Sequence, residues 1–273
     1  MLNEGRSPAF YILAAFFALF VLFLYGPTVT IFILSFQGPD GGLTFPMRGV
    51  SLHWFANLFE PQMVGDFAGS FQRSIALALL VMGLTVLIAL GAGLAFRRKF
   101  FGATVLFYLT IAGLIVPSIL ISLGIGLMFN VVGFQPDWYT SALGAHLTWT
   151  LPFGVLIMFA VFNRFDRRLE EAARDLGASP WQSLRFVVLP LIAPSLVGVG
   201  LFGFSLSYDE FARTILASGV DNTLPLEIAA MTTNVTTPVL YALGSLTTMF
   251  SLGLVVAVTL VVLAMRRRQR SAA

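Results

Sequence analysis

Six apolar stretches, each long enough to cross a bilayer, occupy most of this chain: about residues 8–36, 74–96, 103–129, 143–162, 189–206 and 240–265. A span needs roughly 20 mainly apolar residues. In hydrocarbon every backbone polar group must be satisfied internally, which leaves helices for runs of this length. Only 11% of the 273 residues are charged and 58% are hydrophobic, whereas a soluble domain carries about 25% charged residues. The expected fold is therefore an all-α polytopic membrane protein with six transmembrane helices, forming a single membrane domain over residues 1–273. The first run is too long for a signal-peptide core, and no small-residue cleavage site follows it, so it is expected to remain as a span. Prolines at Pro27, Pro117, Pro152, Pro190 and Pro194 lie within or beside spans, where each removes a backbone donor and favours a kink.

Lys and Arg set the orientation. Thirteen of the sixteen basic residues precede the first span, separate the second from the third or the fourth from the fifth, or follow the sixth. Only Arg48, Arg73 and Arg213 fall in the other connections. The bias places both termini and the 163–188 loop in the cytoplasm. It also explains the basic pI of about 9.6 as a topology signal, so nucleic acid is not an expected partner. The outer connections are weakly charged, and Gln37–Gln72 is the longest, with Trp54 and Phe55 suited to a membrane interface.

No catalytic or metal-binding pattern is present. Cysteine is absent, and the two histidines, His53 and His146, have no ligand spacing. The single lysine, Lys99, is not in a phosphate-binding loop, and no His-Glu-x-x-His occurs. Ser118 and Ser122 lack a base and read as packing groups. The chain is expected to be a non-enzyme that binds no cofactor of its own.

The 163–188 loop is the polar exception. Asp166 is a candidate N-cap, Glu170 and Arg174 stand four apart for a pair along one helix face, and Gly177 suits a helix stop. Ser179-Pro180-Trp181-Gln182 reads as a capping box with proline at the first helical position. Two short helices follow, before Leu189-Pro190 returns the chain to the membrane. Such a hairpin can rest on anionic headgroups, but Asp166, Glu170, Glu171 and Asp175 would repel them. The small residues Ala172, Ala173 and Gly177 instead permit close approach by another protein.

Glu171-Ala172-Ala173, Gly177 and Val187-x-Leu189-Pro190 resemble the EAA loop of bacterial ABC importer permeases, with Val187 where isoleucine is usual. The segments His146–Pro152, Asp175–Ser179, Ser205–Phe211, Asn222–Leu226 and Ser51–Phe55 look like the spermidine/putrescine permease group, second permease subunit. The resemblance implies that Glu170, Glu171, Ala172, Ala173, Asp175 and Gly177 dock as a coupling helix on a separate ATPase, which uses ATP and Mg. It further implies a place in the bacterial inner membrane, a homologous permease as heterodimer partner, two ATPase copies and an external solute-binding protein.

For the cargo, the Asp209-Glu210 pair after the fifth span, beside Phe204, Tyr208 and Phe211, suits an organic amine. The pair can equally be solvated, or held by Arg213. Asp221 and Glu227 read as solvated loop charges, and Trp149 and Tyr241 as packing or interfacial aromatics. Ser118 is included in the expected substrate path and marks a departure: polyamine-type permeases often carry an acid after the third-span proline, and here Pro117 is followed by Ser118. That leaves room for another small solute, such as an amino-acid derivative or an aminophosphonate. A secondary transporter remains the alternative of a different class.

Overall fold

The computed structural model describes residues 7–60, 65–234 and 238–271 and is helical throughout its ordered elements. The helices, in order, are α1 (Pro8–Leu34), α2 (His53–Asn57), α3 (Phe67–Phe96), α4 (Ala103–Ala112), α5 (Ser118–Val132), α6 (Ser141–Arg164), α7 (Arg168–Asp175), α8 (Pro180–Ser183), α9 (Leu189–Tyr208), α10 (Leu224–Asn234) and α11 (Val239–Ser271). Among the described residues, five helical stretches are long and apolar enough to cross a membrane: α1, α3, α6, Pro180–Tyr208 and Val239–Met265.

The expected third span is the exception. Residues 103–129 do not form one helix but two, α4 and α5, neither of which reaches span length alone. The break follows from Gly113 and Pro117. After Gly113 the turn tightens, with Leu114 N–H bonding Ile111 O at 2.9 Å and Ile115 N–H bonding Ala112 O at 3.0 Å. Pro117 then takes an extended ψ of 133° and opens α5 as its N-cap, and its ring disfavours helix at the residue before it. Gly113 also lets the chain lie close to α6: a Cβ there would stand 2.7 Å from the Thr148 carbonyl oxygen.

Two compact units are distinguished, Met1–Gly65 with Ala230–Phe250, and Asp66–Ala229 with Ser251–Ala273. In the first, α1 is almost wholly exposed. The chain after it is organised around buried Gln37, which donates to Gly42 O at 3.1 Å and accepts from Arg48 N–H at 2.7 Å. The Tyr241 hydroxyl donates to Leu43 O at 2.7 Å, which makes it a packing aromatic.

In the second unit α3 packs along both α6 and α9. Small residues set these crossings, as expected where helices associate without a hydrophobic drive. A Cβ on Gly154 would meet Ala89 at 2.9 Å, and one on Gly93 would meet the Phe162 ring at 2.8 Å. Leu77, Val81, Ala89 and Met158 are fully buried there. Thr85 of α3 donates to the Thr150 hydroxyl of α6 at 3.0 Å, a polar tie inside the apolar layer.

Candidate functional site

The polar loop forms the helix–stop–helix its residues call for. The Asp166 carboxylate accepts from Arg168 N–H at 3.0 Å and so serves the first turn of α7. The helix ends in a Schellman motif: Ala178 N–H bonds Ala173 O at 3.0 Å and Gly177 N–H bonds Arg174 O at 2.8 Å. Gly177 sits at φ +89°, a left-handed conformation that costs a residue with a Cβ. At α8 the capping box is complete: Gln182 N–H bonds Ser179 Oγ at 3.3 Å and Ser179 N–H bonds Gln182 Oε1 at 2.8 Å. Ser179→Ala is expected to lower the stability of this turn by about 1 kcal/mol, measurable as faster amide exchange at Gln182 and Ser183.

The second half of the loop departs from expectation. α8 does not stand as a separate short helix. It passes through a π-helical turn, Leu184–Val188, directly into α9. The turn stands just ahead of Pro190, which has no N–H to give to a helical ladder. Widened turns of this kind recur at functional sites. The loop is thus one separate helix, α7, which turns at Gly177 into a fifth helical stretch that begins at Pro180.

The expected docking residues divide into two faces. Glu171, Ala172, Asp175 and Gly177 are exposed, and Ala173 is half-buried. Leu176 is 90% exposed beside them, over a shallow groove of about 400 Å³ that Ala173, Gly177, Gln182 and Phe186 also line. Glu170 turns the other way. Its carboxylate pairs with Arg97, the residue that ends α3, and Arg174 approaches its other oxygen at 3.8 Å. The local Glu170–Arg174 pair is therefore secondary to a partner 73 positions earlier.

At the far end of α9, about 30 Å away for a 20-residue helix, the expected substrate-path residues also separate. Phe204 and Tyr208 are buried and stacked, with centroids 5.9 Å apart. Asp209 is exposed. Glu210 is buried and holds Arg213: its Oε1 accepts Arg213 N–H at 2.8 Å, and its Oε2 lies 3.9 Å from Arg213 Nη1. Of the alternatives open for Glu210, the Arg213 pairing is the one realised. The guanidinium also donates to Ser118 Oγ at 2.6 Å and to Thr148 Oγ1 at 3.3 Å, and stands 4.6 Å from the Trp149 ring centroid. Ser118 is thus a ligand of Arg213 and more than a packing group.

Hydroxyls on neighbouring helices tie down the middle of the 209–223 segment, which runs without regular helix, and the start of the helix after it. Ser122 Oγ accepts Leu216 N–H at 2.9 Å, Ser74 Oγ accepts Leu224 N–H at 2.8 Å, and Ser141 donates to Ala217 O at 2.6 Å. His146 bonds Ser207 and Thr214, each at 2.8 Å. Irregular backbone at membrane depth is tolerated only where protein or a cavity meets its polar groups, and these hydroxyls do so. Glu227 corrects its expectation as a solvated charge. It is buried, and accepts from Asp66 N–H and from Asn222 Nδ2, both at 2.8 Å. Asp221 is exposed as expected. The periodic apolar pattern carried no sign of these polar joints, because each links residues distant in sequence.

A family described as the binding-protein-dependent transport system inner membrane component matches residues 85–271, a stretch that contains both the α7 loop and the Arg213 cluster. The chain belongs to that family. It is a multi-pass membrane protein of a transport system, and its relatives are permeases. It is 31% identical over 249 residues to the spermidine/putrescine transport system permease protein PotC of Haemophilus influenzae, covering 90% of this chain and 95% of that one. To PotC of Escherichia coli it is 28% identical, covering 88% and 89%, and to the putrescine transport system permease protein PotI of the same organism 26%, covering 82% and 81%. The fold is that of a bacterial ABC transporter involved in the import of alginate (TM-score 0.67, 18% identity, 96% and 98% covered). It is also similar to the MetNI methionine ABC transporter (TM-score 0.57, 16% identity, 73% and 95% covered). Among the described residues no cluster of His, Asp and Glu is arranged to hold a metal.

Proposed function

We propose that this chain is a non-catalytic permease subunit of a bacterial ATP-driven importer, carrying a polyamine such as putrescine or spermidine. The observation that carries the transport mechanism is the exposed face of α7, with Glu171, Ala172, Asp175 and uncovered Leu176 set beside the Gly177 hinge. That face is short, capped by the Schellman turn and uncovered among the described residues, as a docking helix for a soluble ATPase should be. It lies in the cytoplasm with both termini, by the basic-residue bias. The path is completed by a homologous permease, two ATPase copies and an external binding protein. ATP and Mg are used by the ATPase, and no cofactor is bound here.

The polyamine assignment is supported by the names of the relatives across nearly the whole chain. Asp209 is the carboxylate left free to meet an amine, since Glu210 is engaged by Arg213. The same observation favours a second reading. A buried arginine that neutralises Glu210, with Ser118 where an acid is usual, suits a solute of lower positive charge.

The test is uptake of labelled putrescine and spermidine into proteoliposomes holding the complete complex. Uptake that requires both ATP and the binding protein is expected. Uptake without nucleotide would point to a secondary transporter. Asp209→Asn is expected to raise KM for spermidine about tenfold, while Glu210→Gln should lower the amount of folded protein. An unchanged KM in Asp209→Asn would remove Asp209 from the path.

A further inference from the structure

Glu170 lies next to the Glu-Ala-Ala run, yet it does not face outward with it. We propose that Glu170 is a positioning residue whose bond to Arg97 joins α7 to α3, so that the docking helix and the second span move as one body. The proposal deepens the coupling role of α7 given above and rests on that reading.

Three elements meet on one guanidinium. Arg97 is the C-cap of α3. Its Cζ stands 5.1 Å from the Phe162 ring centroid at the end of α6 and 5.6 Å from that of Phe165 just beyond. The Glu170 carboxylate of α7 then closes on it. Both side chains are largely withdrawn from solvent, at 14% and 13% exposure, so the pair is screened far less than a surface ion pair. A second bond runs in parallel: Arg167 Nη2 donates to Arg97 O at 2.9 Å, meeting a carbonyl that the end of α3 leaves open.

Each end of α7 is a turn in the chain. Its C-terminus leads into the Gly177 stop, and the chain beyond belongs to the fifth span. At its N-terminus, Phe165 takes an extended ψ of 127° and ends α6. Without the Arg97 contacts, α7 would be an eight-residue helix, too short to be stable by itself, held through its contacts with α8 and the π-helical turn. A force applied to its exposed face would then pass to the fifth span through α8. With them, the force also reaches α3, which packs on both α6 and α9, carries Thr85 and Ser74 of the polar joints described above, and through Arg73 Nε donates to Asn222 O at 2.7 Å.

Two arms test the joint in the complete complex. In the first, Glu170→Gln and Arg97→Met are expected to keep the ATPase in the purified complex, while stimulation of ATP hydrolysis by putrescine-loaded binding protein falls at least about tenfold. Arg97→Lys, which keeps the charge, should recover part of it. Loss of the ATPase from the Glu170→Gln complex would make Glu170 a docking contact and overturn the proposal, as would unimpaired stimulation. In the second arm, Arg97→Cys with Glu170→Cys is bridged by a short bifunctional thiol reagent, the chain having no other cysteine. Bridging is expected to restore uptake above that of the unbridged double variant. Bridged protein that binds the ATPase but transports no better would show that the two helices must part, and would overturn the joint. If the wild-type chain itself fails to hold the ATPase, the docking reading falls, and that outcome is distinct from failure at Glu170.

Discussion

Gly177→Val is expected to abolish uptake and the coupling of ATP hydrolysis, with membrane insertion unchanged. The reason is conformational, because nothing lies within 4 Å of the position a Cβ would take. At φ +89° a β-branched residue is strained by about 1–2 kcal/mol or more. The chain relieves that strain by abandoning the Schellman turn, which opens the bonds to Ala173 O and Arg174 O. For a helix of eight residues this is a large fraction of what keeps it formed. The order Gly, Asn, Ala, Val should describe declining uptake, since asparagine tolerates the left-handed region best after glycine. Putrescine-dependent ATPase activity of the purified complex checks it, with membrane content by immunoblot as the control. If Gly177→Val transports normally, the turn is not what holds α7 in place.

Arg213→Met should be the most destabilising single change in the 209–223 segment. It leaves the Glu210 carboxylate buried without its counter-ion and frees Ser118, Thr148 and the face of Trp149 together. Removing one member of a buried ion pair costs about 3–5 kcal/mol, whereas replacing both by apolar groups can be nearly neutral. Arg213→Met with Glu210→Met is therefore expected to recover most of the lost stability. Arg213→Lys should not, because an ammonium cannot meet a hydroxyl on each arm and a carboxylate in the geometry of the planar fork. Thermal unfolding of detergent-purified protein ranks the variants. A double variant no more stable than Arg213→Met would show that the hydroxyl contacts, and not the ion pair, carry the stabilisation.

The loop was legible residue by residue because its signals are local. The Ser179–Gln182 box acts across three positions, the Gly177 stop within its own turn, and both occur where the sequence places them. The charge of Glu170 was equally visible, but its partner was not. A reading along the chain finds Arg174 one turn away and has no means of finding Arg97, which sits 73 residues earlier and looks like a topology signal. The break in the expected third span escaped for a related reason. Apolar content alone describes residues 103–129 as one crossing, while a helix also needs an unbroken ladder of donors. Gly113 and Pro117 end that ladder where α6 comes close.

The sequence alone determined the class and the apolar stretches, because hydropathy acts on the chain before it packs, and the placement of Arg and Lys gives the expected side of each loop. It also determined the shape of α7 and its stop. The tertiary structure decided which charges are free. Of the acids near the two ends of α9, Glu171, Asp175 and Asp209 are left exposed, whereas Glu170, Glu210 and Glu227 are consumed by partners. A carboxylate in low-dielectric surroundings must find a counter-charge or donors, and only the packing of α3, α6 and α9 determines which arginine or amide is within reach.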